Sequence, residues 1–197
     1  ASAIHMLKGY FGSGTEFVVL SADPERTEQL YHVESVNRWD FTLIRKAIST
    51  VDIVISGGGG LLQDETSIRS VLYYLMILLL ANLSGKETYV LAQGVGPIKT
   101  FMGRNACRNV LRRIDGILVR DAGSFDELEG VGIRRACVLE GRDLVLGLPE
   151  SIDSPHDDLE FDKRPVVGIA LRDFWGFDTV VEDMAELADH VILELGG

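Results

Sequence analysis

Four consecutive glycines form the most distinctive motif of the sequence. They lie within SGGGGLLQDETS, directly after a β-branched run. Glycine adopts positive φ freely and lets the backbone approach a ligand closely, and open α/β sheets bind ligands at the carboxyl ends of their strands. The motif lacks the Gly-Lys-Ser/Thr ending of a P-loop, and Leu62 stands where a dinucleotide fingerprint needs glycine. We predict a ligand-contacting loop; the alternative is a tight turn in which Asp64, Thr66 or Ser67 only caps a helix. The residues predicted to bind substrate here are Gly57, Gly58, Gly59, Gly60, Gln63, Asp64 and Thr66.

A second glycine motif, AQGVGPI, follows another predicted strand. Gly94, Gly96 and the following proline indicate a sharp turn. Gln93 has an amide that can hydrogen-bond a sugar hydroxyl. Two interpretations stay open: a structural turn, or a substrate-binding loop that uses Gln93, Gly94 and Gly96.

Two arginines follow predicted strands and are candidates for holding an anion. Arg120 precedes Asp121 in LVRDAGSFDEL, and an ion pair that only holds the loop is the alternative there. Arg172 ends a later strand in VGIALRDFW, where it would face a cleft between domains. A guanidinium binds a carboxylate or phosphate in bidentate fashion, so Arg172 is a candidate for holding an anion in that cleft.

Short apolar runs alternate with helical patterns, which predicts βαβ units and a doubly wound, mainly parallel sheet. The helix over Ser67–Leu83 is apolar on all sides, so it is predicted to be buried in the core or in a homo-oligomer interface; both remain open. Strands are predicted at Glu16–Ser21, Val51–Ser56, Thr88–Ala92, Gly116–Val119 and Ala136–Leu139, and helices at the amino terminus, from Pro24 to Tyr31, after Asp40, and near 102–114 and 123–129.

Three prolines and an acidic stretch interrupt this pattern after Leu148. We interpret the interruption as an inter-domain linker, with a solvated loop as the alternative. The strand and helix after it are too short to build a core of their own. The expected organisation is a Rossmann-like domain over residues 1–148 that lacks its first strand, a linker over 149–164, and the beginning of a truncated second α/β domain over 165–197.

Composition excludes several classes of protein. The chain has 197 residues, with 30 acidic and 19 basic side chains and a net charge of −11. Without a basic cluster it is not expected to bind nucleic acid. Its longest apolar run, Val71–Leu83, is shorter than the roughly 20 residues that span a membrane, and no signal peptide is visible, so a cytoplasmic location is predicted. Cys107 and Cys137 are expected to pack as small apolar groups, and no metal-ligand spacing occurs.

Four motifs in this order and spacing resemble the polysaccharide pyruvyl transferase family: SGGGGLLQDETS, a helix containing YYL, AQGVGPI and VRDAGS. The resemblance covers nearly all of the chain. The upstream VLSADPE and VNRWD look like the bacterial CsaB-like branch, which is associated with S-layer anchoring.

The resemblance implies a two-domain fold similar to that of GT-B glycosyltransferases. It also implies a transferase that moves the enolpyruvyl group of phosphoenolpyruvate to a sugar of a cell-wall polysaccharide precursor, forming a ketal and releasing phosphate. The acceptor would be a nucleotide- or lipid-linked sugar such as N-acetylmannosamine. A lipid-linked acceptor would bring the protein to the inner face of the plasma membrane. No metal or organic cofactor is implied.

The resemblance further implies that Arg172, and less directly Arg120, hold the donor, while the two glycine loops hold the acceptor. Family members begin with a strand and a glycine-rich turn that this sequence does not contain. Their Arg-x-His element would lie beyond residue 197, so this chain by itself is expected to be inactive. Two alternatives remain: a nucleotide-sugar-dependent GT-B glycosyltransferase, and a non-catalytic sugar-binding protein of the same fold.

Overall fold

The structure, a computed structural model, describes residues 2–12, 14–64, 67–134 and 138–147. Helices and strands alternate over these residues, and every strand pair is parallel. The helices are α1 (Ser2–Phe11), α2 (Pro24–Tyr31), α3 (Phe41–Thr50), α4 (Ile68–Leu83), α5 (Phe101–Leu111) and α6 (Ala122–Val131). The strands are β1 (Val18–Ser21), β2 (Glu34–Asn37), β3 (Ile53–Gly57), β4 (Glu87–Gln93), β5 (Gly116–Val119) and β6 (Val138–Glu140), followed by a short 3-10 helix, Leu144–Gly147.

The strands form two hydrogen-bonded ladders, with the orders β1-β2 and β3-β4-β5-β6. The predicted mainly parallel, Rossmann-like α/β fold is confirmed. The division into two ladders differs from the single sheet expected. The ladders share one helical layer, because Leu20 of β1 and Val54 of β3 pack against the same cluster of α3 and α4 side chains.

Helices cover both faces of the strands, as expected for a doubly wound fold. Val54 faces α3 and α4, so its neighbours Ile55 and Gly57 face the opposite side. A Cβ built on Gly57 would lie 3.8 Å from the Cβ of Ala3, which places α1 on that opposite side. Because α1 and α3–α4 lie on opposite faces, the prediction of a doubly wound arrangement holds for the described strands.

Helix α4 joins two apolar clusters. Val71, Leu75 and Leu78 belong to the main core with the inner strands, α5 and α6. Ile77 and Ala81 pack instead against α3. An all-round apolar helix is therefore explained by contacts within the described part of the chain, and the homo-oligomer interpretation stays a prediction. The main core is completed by Leu62, Val90, Val95, Ile98, Cys107, Val110, Leu111, Ile117, Val119, Leu128, Val131, Ile133 and Val138.

Strand β2 was not predicted, because its sequence ESVN has one apolar residue and no alternation. Hydrogen bonds compensate for this polarity. The buried Ser35 donates its hydroxyl to the Val19 carbonyl at 2.9 Å, and its amide donates to the Glu28 carboxylate at 3.0 Å. A polar strand is stable here because each buried polar group has a partner.

Helix ends follow the expected capping chemistry. Asp23 and Asp40 accept hydrogen bonds from amides in the first turns of α2 and α3.

The buried Cys107 confirms the apolar packing predicted for it, and burial, with nearby carboxylates, raises the pKa of its thiol to about 12. Thr66, Cys137, Arg172, the linker over 149–164 and the second domain over 165–197 lie outside the described residues, so the predictions that concern them remain predictions.

Candidate active site at the carboxyl edge of the sheet

The two glycine loops lie side by side and are joined by backbone hydrogen bonds. The Gly94 amide donates to the Gly59 carbonyl at 2.8 Å, and the Gly96 amide donates to the Leu62 carbonyl at 2.8 Å. Leu62 also forms an isolated bridge with Val95. The parallel pairing of β3 and β4 thus continues beyond the strands, so the two motifs form one surface rather than two separate loops.

The first loop requires glycine at two positions. Gly58 and Gly59 have φ of +72° and +68°, a region that L side chains rarely adopt. Gly59 and Gly60 are exposed, and within the described residues their amides donate no hydrogen bond. The side-chain amide of Gln63 lies near Gly60, 3.8 Å from where a Cβ would be. This segment can therefore offer backbone donors and one side-chain amide to a ligand.

Asp64 holds the second loop in position. Its carboxylate accepts hydrogen bonds from the Lys99 amide at 2.7 Å and the Thr100 amide at 2.9 Å, and another from the Thr100 hydroxyl. Burial alone would raise the pKa of Asp64, but these hydrogen bonds lower it below its ordinary value. Helix α4 is capped by Ser67, the capping alternative considered above. Asp64 has a positioning role, and its predicted contact with substrate stays a prediction.

Gln93, the last residue of β4, is fully buried. Its Oε1 accepts from the Ser56 hydroxyl at 3.5 Å, and its Nε2 has no hydrogen-bond partner among the described residues. The preceding Ala92 has φ of +47°, at an irregularity in the β4–β5 pairing. Contact between Gln93 and a sugar hydroxyl would therefore require a ligand that reaches below the loop surface, and it stays a prediction.

Arg120 lies over the second loop. A Cβ on Gly94 would come within 2.8 Å of its guanidinium carbon, so only glycine leaves room for it. Its Nε donates to Asp121 at 3.1 Å and its Nη1 to Asp143 at 3.5 Å. The Arg–Asp pair, the alternative considered for Arg120, is present and a second carboxylate joins it; the predicted catalytic role of Arg120 stays a prediction. With two carboxylates around one guanidinium, the cluster suits hydroxyl groups better than a free anion.

Asp121 is itself fixed by the following helix. The amide of Ser124 donates to its Oδ1 at 2.7 Å and the Ser124 hydroxyl donates at 2.8 Å, so Asp121 is the N-cap of α6. These bonds, together with Arg120, lower the pKa of Asp121. The lowered pKa keeps Asp121 ionised around neutral pH.

The sequence analysis did not identify Asp143. It follows β6, so the rule that ligands bind at carboxyl ends of strands pointed to it as it did to Arg120. The motif EGRD after a three-residue strand gave no other signal.

Gly96 anchors the second loop to α6. It has φ of +89°, and a Cβ there would lie 2.6 Å from Cγ of Glu127. Glu127 accepts from the Ile98 amide at 3.1 Å and pairs with Arg104 at 3.2 Å. The peptide bond Gly96–Pro97 is cis. The second loop is thus held from α5 and α6 as well as from the first loop.

The described residues hold no group of histidine, cysteine and carboxylate side chains arranged to bind a metal. None of the helices among them has the length and apolar character of a transmembrane segment.

Residues 1–196 match the family model described as polysaccharide pyruvyl transferase. The chain belongs to the polysaccharide pyruvyl transferase family. No curated protein and no solved structure matches it significantly. The site described above combines exposed backbone amides, at Gly59 and Gly60, with polar side chains that hydrogen bonds hold in place. Family membership also weighs against the glycosyltransferase alternative.

Proposed function

We propose that the protein transfers the enolpyruvyl unit of phosphoenolpyruvate to a sugar of a cell-wall polysaccharide precursor, as a pyruvate ketal. The observation that carries the proposal is the family match over residues 1–196. The joined glycine loops beside Arg120 support it, because open α/β sheets bind their substrates at this edge.

The reaction balances without a redox partner. One sugar hydroxyl attacks C2 of phosphoenolpyruvate while the methylene carbon gains a proton and becomes a methyl group. A second hydroxyl then displaces phosphate from the same carbon, which closes the ketal. The reaction needs a proton donor and cations that stabilise charge on the carboxylate and the phosphate, and it needs no cofactor.

We assign the acceptor to the site around Arg120 and the donor to Arg172. Arg120 shares its positive charge with Asp121 and Asp143, so it is better suited to orient acceptor hydroxyls than to bind the trianionic donor. The predicted donor cation is Arg172. Its location after a strand of the second domain is a prediction from the sequence.

The motifs VLSADPE and VNRWD favour the CsaB-like branch, in which the ketal would give the polymer the negative charge that S-layer domains bind. On that basis we propose a cytoplasmic enzyme whose acceptor is linked to a nucleotide or to a lipid. A lipid carrier would bring it to the inner face of the plasma membrane.

The test uses the protein expressed from its complete gene. It is incubated with phosphoenolpyruvate and N-acetylmannosamine carried on UDP or on a prenyl diphosphate, and phosphate release and product mass are followed. We expect acceptor-dependent phosphate and a product heavier by one ketal. Arg172→Ala should abolish both, while Arg45→Ala, an exposed arginine on α3, should leave them unchanged.

Two other results would replace the proposal. Release of a nucleoside diphosphate from a nucleotide sugar, without phosphate from phosphoenolpyruvate, would identify a glycosyltransferase. Sugar binding with no release of either product, across a panel of acceptors, would identify a non-catalytic sugar-binding protein.

A further inference from the structure

A tryptophan and an arginine lie together where β2 ends. The Trp39 side chain is 59% exposed, and Cζ of Arg38 lies 4.6 Å from the centre of its ring. Large apolar side chains that are exposed beside a cation contribute little to a core. Neither residue has a role in the site described above.

The backbone of this pair is firmly held although the indole ring is open to solvent. The Arg38 amide donates to the Ser21 carbonyl at 2.8 Å, and the Trp39 amide donates to Oδ1 of Asn37 at 2.9 Å. The Tyr73 hydroxyl donates to the Arg38 carbonyl at 2.6 Å, and its ring centre lies 5.3 Å from that of Trp39. A fixed exposed ring loses little conformational entropy when a ligand stacks on it.

Arg38 makes no ion pair or side-chain hydrogen bond with the described residues, and its Nε is buried without a partner. This distinguishes it from Arg120, whose charge two carboxylates share. An unpaired guanidinium is a strong ligand for a phosphate group.

The pair is connected to helix α4 through Tyr73. Tyr73, which contacts both residues of the pair, lies on α4, roughly 8 Å along the axis from the first residue of that helix. Helix α4 begins directly after the first glycine loop. The pair contacts the amino-terminal half of α4, the helix that follows the first glycine loop in the chain.

We propose that Trp39 and Arg38 form a subsite for a glycosyl diphosphate, in which the sugar ring stacks on Trp39 and the diphosphate binds Arg38. The inference rests on the proposed function, since this ligand would be the acceptor. Stacking uses the apolar face of the sugar ring, and the charged group that binds Arg38 is the diphosphate common to nucleotide and lipid carriers.

Residues 1–197 contain two tryptophans, Trp39 and Trp175, so the titration uses a variant in which Trp175 and every tryptophan elsewhere in the protein are replaced by Phe and Trp39 alone is kept. This variant is titrated with UDP-N-acetylmannosamine, N-acetylmannosamine on a short prenyl diphosphate, UDP, and free N-acetylmannosamine. We expect the two glycosyl diphosphates to change the fluorescence at concentrations about tenfold lower than UDP or the free sugar. The carrier whose conjugate binds more tightly identifies the natural source of the diphosphate.

Activity measurements separate this subsite from the donor site. Trp39→Ala and Arg38→Ala should each raise the KM for the acceptor about tenfold and leave the KM for phosphoenolpyruvate unchanged. Trp39→Phe and Arg38→Lys should lie between these variants and the natural protein. Tyr10→Ala removes a similarly exposed ring, 83% exposed on α1, and should change neither constant.

The subsite is contradicted if UDP binds as tightly as UDP-N-acetylmannosamine, if the free sugar binds as tightly as its diphosphates, or if Trp39→Ala leaves acceptor affinity unchanged. Failure of the proposed function gives a different result: no phosphate release with any acceptor. In that case the fluorescence titrations, repeated with Arg38→Ala, still decide whether the subsite exists.

Discussion

Two regions that follow the carboxyl ends of strands differ in how their polar groups are used. In the glycine region, formed by Gly57–Asp64, Gln93–Gly96 and Arg120, most side-chain groups bond to other parts of the protein, and Arg120 is shared by two carboxylates. At the end of β2, Arg38 has no ion-pair partner among the described residues and Trp39 is more than half exposed.

The comparison shows that the region held most firmly by hydrogen bonds is not the region with the most unpaired polar groups. The glycine region is held by hydrogen bonds between its two loops and from α5 and α6, which preorganises it. The pair at the end of β2 has a backbone fixed by hydrogen bonds, an exposed indole ring and a guanidinium that forms no ion pair with the described residues. The glycines that the sequence suggests as a ligand-binding loop therefore also have a structural role. The strand that the sequence did not predict, β2, is followed by Arg38, which forms no ion pair with the described residues, and by the exposed Trp39.

The largest loss of stability is expected for Gly96→Ala, which tests whether close packing against the second loop holds the glycine region in place. The new Cβ would meet Cγ of Glu127 at 2.6 Å, and φ is +89°. We expect the free energy of unfolding in urea to fall by about 3 kcal/mol.

Gly85→Ala is the matched control for this variant. Gly85 has φ of +74°, and nothing lies within 4 Å of its Cβ position. Gly85→Ala should therefore lower the free energy of unfolding only by the cost of placing alanine at positive φ, about 1 kcal/mol. Equal losses in the two variants would mean that packing against Glu127 does not hold the second loop.

A smaller loss is expected for Asp64→Asn, because an amide nitrogen cannot accept the hydrogen bonds of Thr100. The loss should be about 2 kcal/mol at pH 7. The folded protein lowers the pKa of Asp64 from 3.8, so its contribution is complete above that pH and disappears as the pH falls through the lowered value. The two proteins should therefore converge in stability below pH 3.8.

Unfolding curves between pH 2 and 7 measure this convergence (roughly the range over which carboxylates titrate). Asp52→Asn, an exposed aspartate at the start of β3, is the control and should change stability little at any pH. A constant difference between Asp64→Asn and the natural protein across the range would show that the hydrogen bonds of Asp64 do not depend on its charge.

The smallest effect on stability is expected for Gly94→Ala. The new Cβ would displace the guanidinium of Arg120, which ends a flexible side chain, so unfolding should change by less than about 1 kcal/mol. Acceptor KM should nevertheless rise, since Arg120 would leave Asp121 and Asp143. Unchanged KM with lowered stability would mean that the Arg120 cluster only holds the loop.

Much of the fold follows from local patterns in the sequence. Asp23-Pro24 and Asp40 begin helices as capping chemistry predicts, and GILV is a strand with the predicted bounds. Strand β2 was missed because its stability comes from hydrogen bonds of Ser35 to Val19 and Glu28, which are contacts between residues distant in sequence.

The two loops of the site could be predicted from the sequence, but the hydrogen bonds and ion pairs within the site could not. Glycines after β3 and β4 predicted the positions of the two loops, and Arg120 was singled out because it follows a strand; contact of these residues with a ligand stays a prediction. That Asp64 bonds to Lys99 and Thr100, and that Asp143 joins Arg120, depends on tertiary distances that no spacing encodes.

The most direct test of the proposed reaction follows one atom of the donor. Phosphoenolpyruvate labelled with carbon-13 at C2 is incubated with the protein and an N-acetylmannosamine acceptor, and the product is examined by NMR. The account predicts the label in a quaternary carbon bonded to two sugar oxygens and a methyl group. Recovery of all the label in phosphoenolpyruvate or free pyruvate, with the acceptor bound but unmodified, would contradict it.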